Sequence, residues 1–211
     1  MIWPTALALD RDDNLYLADD YLQRVTVYDR DGAVQDTWGT KGSAAGEVNG
    51  PSGLLFDADD HLLMVDHRNP RIQKFTPDGD FVAKFGASGD DDGQFNRPSG
   101  LAVDAAGNLY VADWGNQRVQ VFDAAGNYLL QLRGAARLSP WAQEYIAAKA
   151  DELAARATYV PVFDVDTADA NEASARIEPY FWDPVDVVLD DDERVYVLET
   201  SRHRFQIYEK V

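Results

Sequence analysis

Hydrophobic residues along this chain fall into short alternating runs that recur in a fixed order. Between residues 98 and 134 the runs are GLAVD, NLYVAD, RVQVFD and YLLQLRG. Alternation at a period of two, with Val, Tyr and Phe on one face, predicts strands and not helices. The breaks carry hairpin chemistry. DAAGN stands at 104–108 and again at 123–127, putting Gly where a tight turn needs positive φ. The first breaks of three further units read DRDDN (10–14), DADDH (57–61) and DDDER (190–194). There Asp and Asn enter the left-handed region at a higher cost than Gly.

The runs repeat as a block. Pro4, Pro51 and Pro98 stand 47 residues apart, as do Asp19, Asp66 and Asp113, and Arg24, Arg71 and Arg118. A fourth copy starts at Pro184, with Glu199 and Arg204 each 86 residues after their third-copy equivalents. Four antiparallel strands repeated in this way predict a single all-β domain, a β-propeller. Its blades are expected at about 3–50, 51–97, 98–134 and 184–211, with an insertion at 135–183.

Copy three, PSGLAVDAAGNLYVADWGNQRVQVF, resembles the NHL repeat at nearly every defining position. Copy two, PSGLLFDADDHLLMVDHRNPRIQKF, departs at the turn Gly and at one Ala, and copies one and four keep the skeleton. The resemblance implies a ring of about six blades, closed by strands shared between the two ends. This chain has four copies, the last ends after its third strand at RFQIYEKV, and only MIW precedes Pro4. Three outcomes follow: an incomplete ring, four blades closed on themselves, or a ring completed by a partner. Open blade edges invite self-association.

In a meander blade the turns between strands one–two and three–four share one face. The bends between strands two and three, and the linkers between blades, share the other. The first face carries the uniform turns, and the second carries DDYLQR, DHRNPR, DWGNQR and ETSRHR, the Gly-rich linkers and the insertion. Variable loops on a rigid scaffold are where binding resides. At each bend an acid faces an arginine: Asp19 and Arg24, Asp66 and Arg71, Asp113 and Arg118, Glu199 and Arg204. A pair present in every unit suits a structural, turn-bridging charged hydrogen bond. Between them lie Tyr21, His67, Arg68, Trp114, Asn116, Arg202 and His203, residue types enriched in binding hot spots. These are the candidate binding residues; the alternative for Tyr21 and Trp114 is packing against a neighbouring blade.

The insertion holds one predicted helix over 138–157. Ser139 is its N-cap, Pro140 its first-turn proline, and Ala142, Ile146, Ala150, Leu153 and Ala157 form its apolar stripe. TYVPVFDV (158–165) reads as a strand able to cover an edge, and DVDTADANEASARIEP after it as an acidic loop. The net charge of −18 is spread over the whole chain. Such a surface repels phosphate backbones and anionic lipid, so neither nucleic acid nor membrane is an expected partner. No apolar run reaches the ~18 residues of a span. MIWPTALALD lacks a signal-peptide pattern, and the compartment is undetermined. There is no cysteine.

Catalytic motifs are missing: no P-loop, no G-x-S-x-G, no H-E-x-x-H. Some propellers with this type of repeat are amidating lyases with axial histidine metal ligands. His61, His67 and His203 sit at non-equivalent positions and do not match such a set. No cofactor is expected, although GASGDDDGQF (86–95) leaves room for a loosely held calcium or other cation. The leading expectation is a non-enzymatic module that binds a protein or peptide through its variable face. Its rivals are a lyase or hydrolase with an axial, metal-dependent site, and a fragment without activity of its own.

Overall fold

The computed structural model describes residues 2–134, 168–176 and 179–209. Blade one contains β1 (Pro4–Leu9), β2 (Leu15–Asp19), β3 (Arg24–Tyr28) and β4 (Val34–Trp38). Blade two contains β5 (Pro51–Phe56), β6 (Leu62–Asp66), β7 (Arg71–Phe75) and β8 (Phe81–Phe85). A two-residue parallel pair, β9 (Ala87–Ser88) and β10 (Gln94–Phe95), closes the linker that the sequence presents as loop. Blade three contains β11 (Pro98–Val103), β12 (Leu109–Asp113), β13 (Arg118–Phe122) and β14 (Tyr128–Leu132). Blade four has three strands, β15 (Pro184–Leu189), β16 (Val195–Glu199) and β17 (Arg204–Tyr208). Each blade is an antiparallel meander in sequence order.

The register is the same in every blade. Asp19 pairs with Arg24, Asp66 with Arg71, Asp113 with Arg118 and Glu199 with Arg204 across the β2–β3 type bend. The first hairpin turn is an Asx turn throughout: Asp10, Asp57, Asp104 and Asp190 each accept two backbone N–H groups through Oδ1. Its left-handed position is filled by Asp13 (φ 60°), Asp60 (φ 64°), Gly107 (φ 84°) and Glu193 (φ 58°). The side-chain turn offsets the strain that Gly avoids.

Alternation sends successive side chains to the two neighbouring blades. Tyr16, Ala18, Val25 and Val27 of blade one pack on Leu54, Leu62, Met64 and Phe75 of blade two. Leu63, Val65 and Ile72 pack on Leu101, Leu109, Val111 and Phe122 of blade three. Tyr110, Ala112, Val119 and Val121 pack on Val187, Val195 and Val197 of blade four, with Phe181 among them. Each Val, Leu, Ile, Met or Phe among them contributes about 1.5–3 kcal/mol by leaving water. Around the axis, hydroxyl groups add a thinner seam: Thr5 Oγ1 donates to the Pro51 carbonyl at 2.6 Å and Ser52 Oγ to that of Ser99 at 2.9 Å. At ~1 kcal/mol apiece these bonds are secondary to the cores. The inner strands β1, β5, β11 and β15 line an axial concavity of about 860 Å³.

One expectation is overturned in the insertion. Residues Ala170–Arg176, expected as loop, form a helix, α1. Asp169 caps it, its Oδ1 accepting from the N–H of Asn171 at 2.8 Å and of Glu172 at 3.3 Å. The expected helix at 138–157 and strand at 158–165 lie outside the described residues. Among the described residues no helix is long and apolar enough to cross a membrane.

Candidate functional site

The loop face is held by a clamp at the bends of blades two, three and four. In blade three, Arg118 Nε donates to Asp113 Oδ2 at 2.9 Å, and its Nη2 reaches the carbonyls of Asp91 and Gln94 at 2.8 Å. Gln120 completes the clamp: Nε2 donates to the Gln94 carbonyl (2.6 Å) and to Asp113 Oδ2 (3.1 Å), and Oε1 accepts from Gly93 N–H (3.0 Å). Asp113 Oδ1 accepts from Asn96 N–H at 2.7 Å. Asp113 and Arg118 are 0% and 1% exposed, so every lone pair and donor must be met inside. Arginine and glutamine together therefore fasten the linker arriving from blade two. Burial pushes the Asp113 carboxyl up, against the pull of Asn96, Arg118 and Asn116; burial likewise raises Asp66.

Blade two repeats the arrangement with Arg71, Gln73 and the carbonyls of Ser43, Ala44 and Glu47. Blade four repeats it with Arg204 on Glu199 (2.6 Å) and on the Tyr180 carbonyl (3.0 Å), and Gln206 on Pro179 and Glu199. Blade one departs from it. Asp19 and Arg24 are register partners but make no ion pair, against expectation. Asp19 instead accepts from the N–H groups of Ile2 (2.6 Å), Trp3 (3.2 Å), Tyr21 and Leu22 (both 3.0 Å). Burial raises this carboxyl, but those four donors outweigh it and hold it below its usual range. Arg24 Nε is buried without a hydrogen-bond partner, and Thr26 stands where the other blades have glutamine.

The candidate binding residues divide. Asn116 is turned inward, 5% exposed, and donates to the Gly89 carbonyl and to Asp113 Oδ2, both at 2.8 Å; it belongs to the clamp. Arg202 donates to the Ser174 carbonyl of α1 at 2.6 Å and lies 5.5 Å from the Trp182 ring, so it docks α1. His203 is exposed in a left-handed conformation at φ 49°. Tyr21 is 67% exposed. Arg68 crosses to blade one, Nη2 donating to Asp20 Oδ2 at 2.8 Å, and holds that carboxyl below its usual range. His67 donates from Nδ1 to the Pro98 carbonyl at 2.9 Å; a carbonyl only accepts, so Nδ1 carries the proton. Its ring stacks on Trp114 at 6.4 Å.

Sequence reasoning missed one member of this group. The guanidinium of Arg97 lies 5.4 Å from the centre of the Trp114 ring, with the Arg97 backbone left-handed at φ 54°. Gly50 holds the equivalent position in blade two at φ 76°. The substitution of arginine for glycine at the same spacing was the available signal. Gly115, beside Trp114, has no room for a side chain: a Cβ there would lie 2.6 Å from the Asn96 carbonyl oxygen. Trp114 is thus flanked by Arg97 and His67 on a bend with little freedom to move.

Elsewhere, Asp57, Asp59 and His61 place ligand atoms within 4.8 Å of one another on the opposite face. Lys74 Nζ already stands 2.6 Å from Asp57, so that carboxylate is neutralised by the protein itself. The His67 and His203 bends belong to blades two and four and form no shared ligand group among the described residues.

The NHL repeat model matches residues 95–122 and 181–208, which are the first three strands of blade three and the three strands of blade four with the ends of their incoming linkers. No curated protein matches the chain. Among solved structures, a structural-genomics protein of unknown function from Bacteroides thetaiotaomicron VPI-5482 is similar at 20% identity and a TM-score of 0.64, over 98% of this chain and 47% of that one. A streptogramin B lyase is similar at 11% identity and a TM-score of 0.59, over 98% and 54%. Catalytically inactive virginiamycin B lyase from Staphylococcus aureus with quinupristin is similar at 11% identity and 0.58, over 98% and 55%. At these identities the likeness is one of fold, and the chain spans about half the length of each of these structures. Two repeat matches, four blades in one register and propeller neighbours agree: the chain is a β-propeller that carries NHL repeats at 95–122 and 181–208.

Proposed function

We propose that this propeller binds a protein or peptide through its loop face, with Trp114, Arg97, His67 and Tyr21 as the contact residues. The observation that carries the reading is Trp114 held between Arg97 and His67 on a clamped bend. An aromatic ring with an exposed arginine beside it, on a backbone that needs no ordering, meets the entropic cost of association before the partner arrives. A negative surface with local cationic groups favours a ligand that offers a carboxylate or aromatic face to Arg97.

The rival reading, an enzyme, would use the axial concavity. Its described lining carries one ionisable side chain, Asp186, at the position where the other blades have Ala6, Gly53 and Gly100. Acid–base or nucleophilic chemistry calls for at least two converging groups, so binding is the better-supported function.

The test is selection of binders from a random-peptide display library on the immobilised chain. Trp114→Ala and Arg97→Ala are expected to weaken the selected peptides at least about tenfold, or ~1.4 kcal/mol. Lys84→Ala, outside the loop face, serves as the control. Peptides indifferent to both loop-face variants would remove this reading.

A further inference from the structure

Blades one, three and four carry a tyrosine at one register position of their second strand: Tyr16 in β2, Tyr110 in β12 and Tyr196 in β16. The hydroxyl returns to the Asx-turn aspartate of its own blade. Tyr110 Oη donates to Asp104 Oδ2 at 3.4 Å, and Tyr196 Oη to Asp190 Oδ2 at 2.8 Å. Burial and the neighbouring Asp10 raise the pKa of the Tyr16 hydroxyl to about 12. In blade two the position holds Leu63, 47 residues after Tyr16 and 47 before Tyr110. A lysine meets the turn aspartate there instead, with Lys74 Nζ 2.6 Å from Asp57 Oδ2. The equivalents of Lys74 in the other blades are Val27, Val121 and Ile207.

The facing wall is short as well. Across the junction of blades one and two, Tyr16 meets the Phe56 ring edge-on at 4.8 Å. The equivalent of Phe56 in blade three is Val103. Two smaller side chains therefore stand where the first junction has two rings. A cavity of about 130 Å³ opens between blades two and three on the turn face, with apolar walls from Leu63, Phe85, Val103 and Leu109 and polar lining from Asp57 and Lys74. A dry cavity of about 150 Å³ is large enough to bind benzene. Asp57 Oδ1 is taken by the N–H groups of Asp59 and His61, both at 2.9 Å, so Oδ2 is the oxygen left to Lys74 and the cavity. Burial raises the Asp57 carboxyl, but Lys74 and the turn N–H groups outweigh it and hold it below its usual range. It is a carboxylate, and accepts only.

We propose that this cavity is a binding site for a neutral phenol, whose ring takes the space a tyrosine ring fills in the neighbouring blades and whose hydroxyl donates to Asp57 Oδ2 and accepts from Lys74 Nζ. The chain supplies the precedent twice over. A phenol hydroxyl sits on the turn aspartate in blades three and four, and a phenol ring is buried between blades one and two. The Asp57 charge disfavours a phenolate. A hydrocarbon of the same size offers the Lys74–Asp57 pair no hydrogen bond in exchange for its water. The cavity lies at an interior junction, on the face opposite Trp114, and is independent of the loop-face reading.

The test is titration of the intact chain with p-cresol, followed by the backbone amide shifts of Leu63, Lys74 and Val103. Saturation with a Kd of about 1 mM or tighter is expected. Toluene, the same ring without the hydroxyl, is expected to bind at least about tenfold more weakly. Leu63→Tyr with Lys74→Val restores the pairing of Tyr16 with Val27 and of Tyr110 with Val121, and is expected to abolish binding. Val103→Phe narrows the cavity from blade three and should weaken binding at least about tenfold. That variant keeps the test open should the double substitution impair folding. N-acetyltyrosinamide distinguishes the two sources of such a ring: saturation at the same amides makes the occupant a partner's tyrosyl side chain, and its exclusion makes it a free phenol. No saturable p-cresol shifts, equal affinity for toluene, or binding that survives either variant overturns the proposal.

Discussion

Blades one and three have the same acid and the same arginine at the same register, yet use them differently. In blade three the carboxylate of Asp113 gathers Arg118, Gln120 and Asn116 and pins the incoming linker. In blade one Asp19 gathers backbone N–H groups, and Arg24 finds no carbonyl to hold. The acid is therefore the general organiser of the bend, because a carboxylate can accept from any donor nearby. In blades two, three and four the arginine and glutamine grip the incoming linker.

The largest expected effect separates those two arginines. Arg118→Ala leaves the buried Asp113 carboxylate without its cation and should cost about 3–5 kcal/mol. Arg24→Ala should cost no more than ~0.5 kcal/mol, the scale of a change away from any special contact. Urea unfolding measures both, and equal losses would end the distinction. Next comes Gln120→Ala, which strips a partner from Gly93 N–H and the Gln94 carbonyl and should cost about 1–3 kcal/mol. Thr26→Ala, the equivalent change in blade one, should be milder by the same assay.

Gly115→Ala should cost about 1–3 kcal/mol, since its Cβ would lie 2.5 Å from Asn96 Cγ and 2.6 Å from the Asn96 carbonyl oxygen, and the backbone atom cannot swing aside as the side chain can. Gly32→Ala tests the other cause of glycine use. Nothing lies within 4 Å of its Cβ position, and only φ 81° penalises it.

The smallest effect is electrostatic. Arg68 holds Asp20 below its ordinary carboxylate value, so the folded state binds that proton less readily than the unfolded chain does. The bridge's contribution is present above about pH 3.8 and is lost as the pH falls through the lower folded value. With Arg68 half exposed, it amounts to about 0–1 kcal/mol. Asp20→Asn should remove that loss of stability as the pH falls below about 3.8, as pH-stepped urea titrations would record.

The blades were legible because their determinants are local: alternation, turn residues and a spacing of 47 need no knowledge of distant contacts. The acid–arginine pairs were legible as pairs for the same reason. Their third member was harder to see. Gln73, Gln120 and Gln206 recur two positions after each arginine, but what they grip is backbone carbonyl, which has no side-chain signature. Helix α1 escaped because it has no apolar stripe. It is fixed by Asp169 at its start and by distant partners, Gln117 on Asn171 at 2.6 Å and Arg202 on Ser174. Arg97 escaped because what matters about it is the ring it covers.

The clamps have a practical corollary for protein engineering. Each grips the first, sixth and eighth residues of its segment and leaves the second and third side chains outside the grip. Positions 67–68 and 200–201, on the clamped bends of blades two and four, are therefore natural grafting windows, at the cost of their hydrogen bonds to Pro98, Asp20 and Asp183. Sequences transplanted there would inherit a rigid presentation, provided that 115 keeps its glycine and the gripping residues stay untouched.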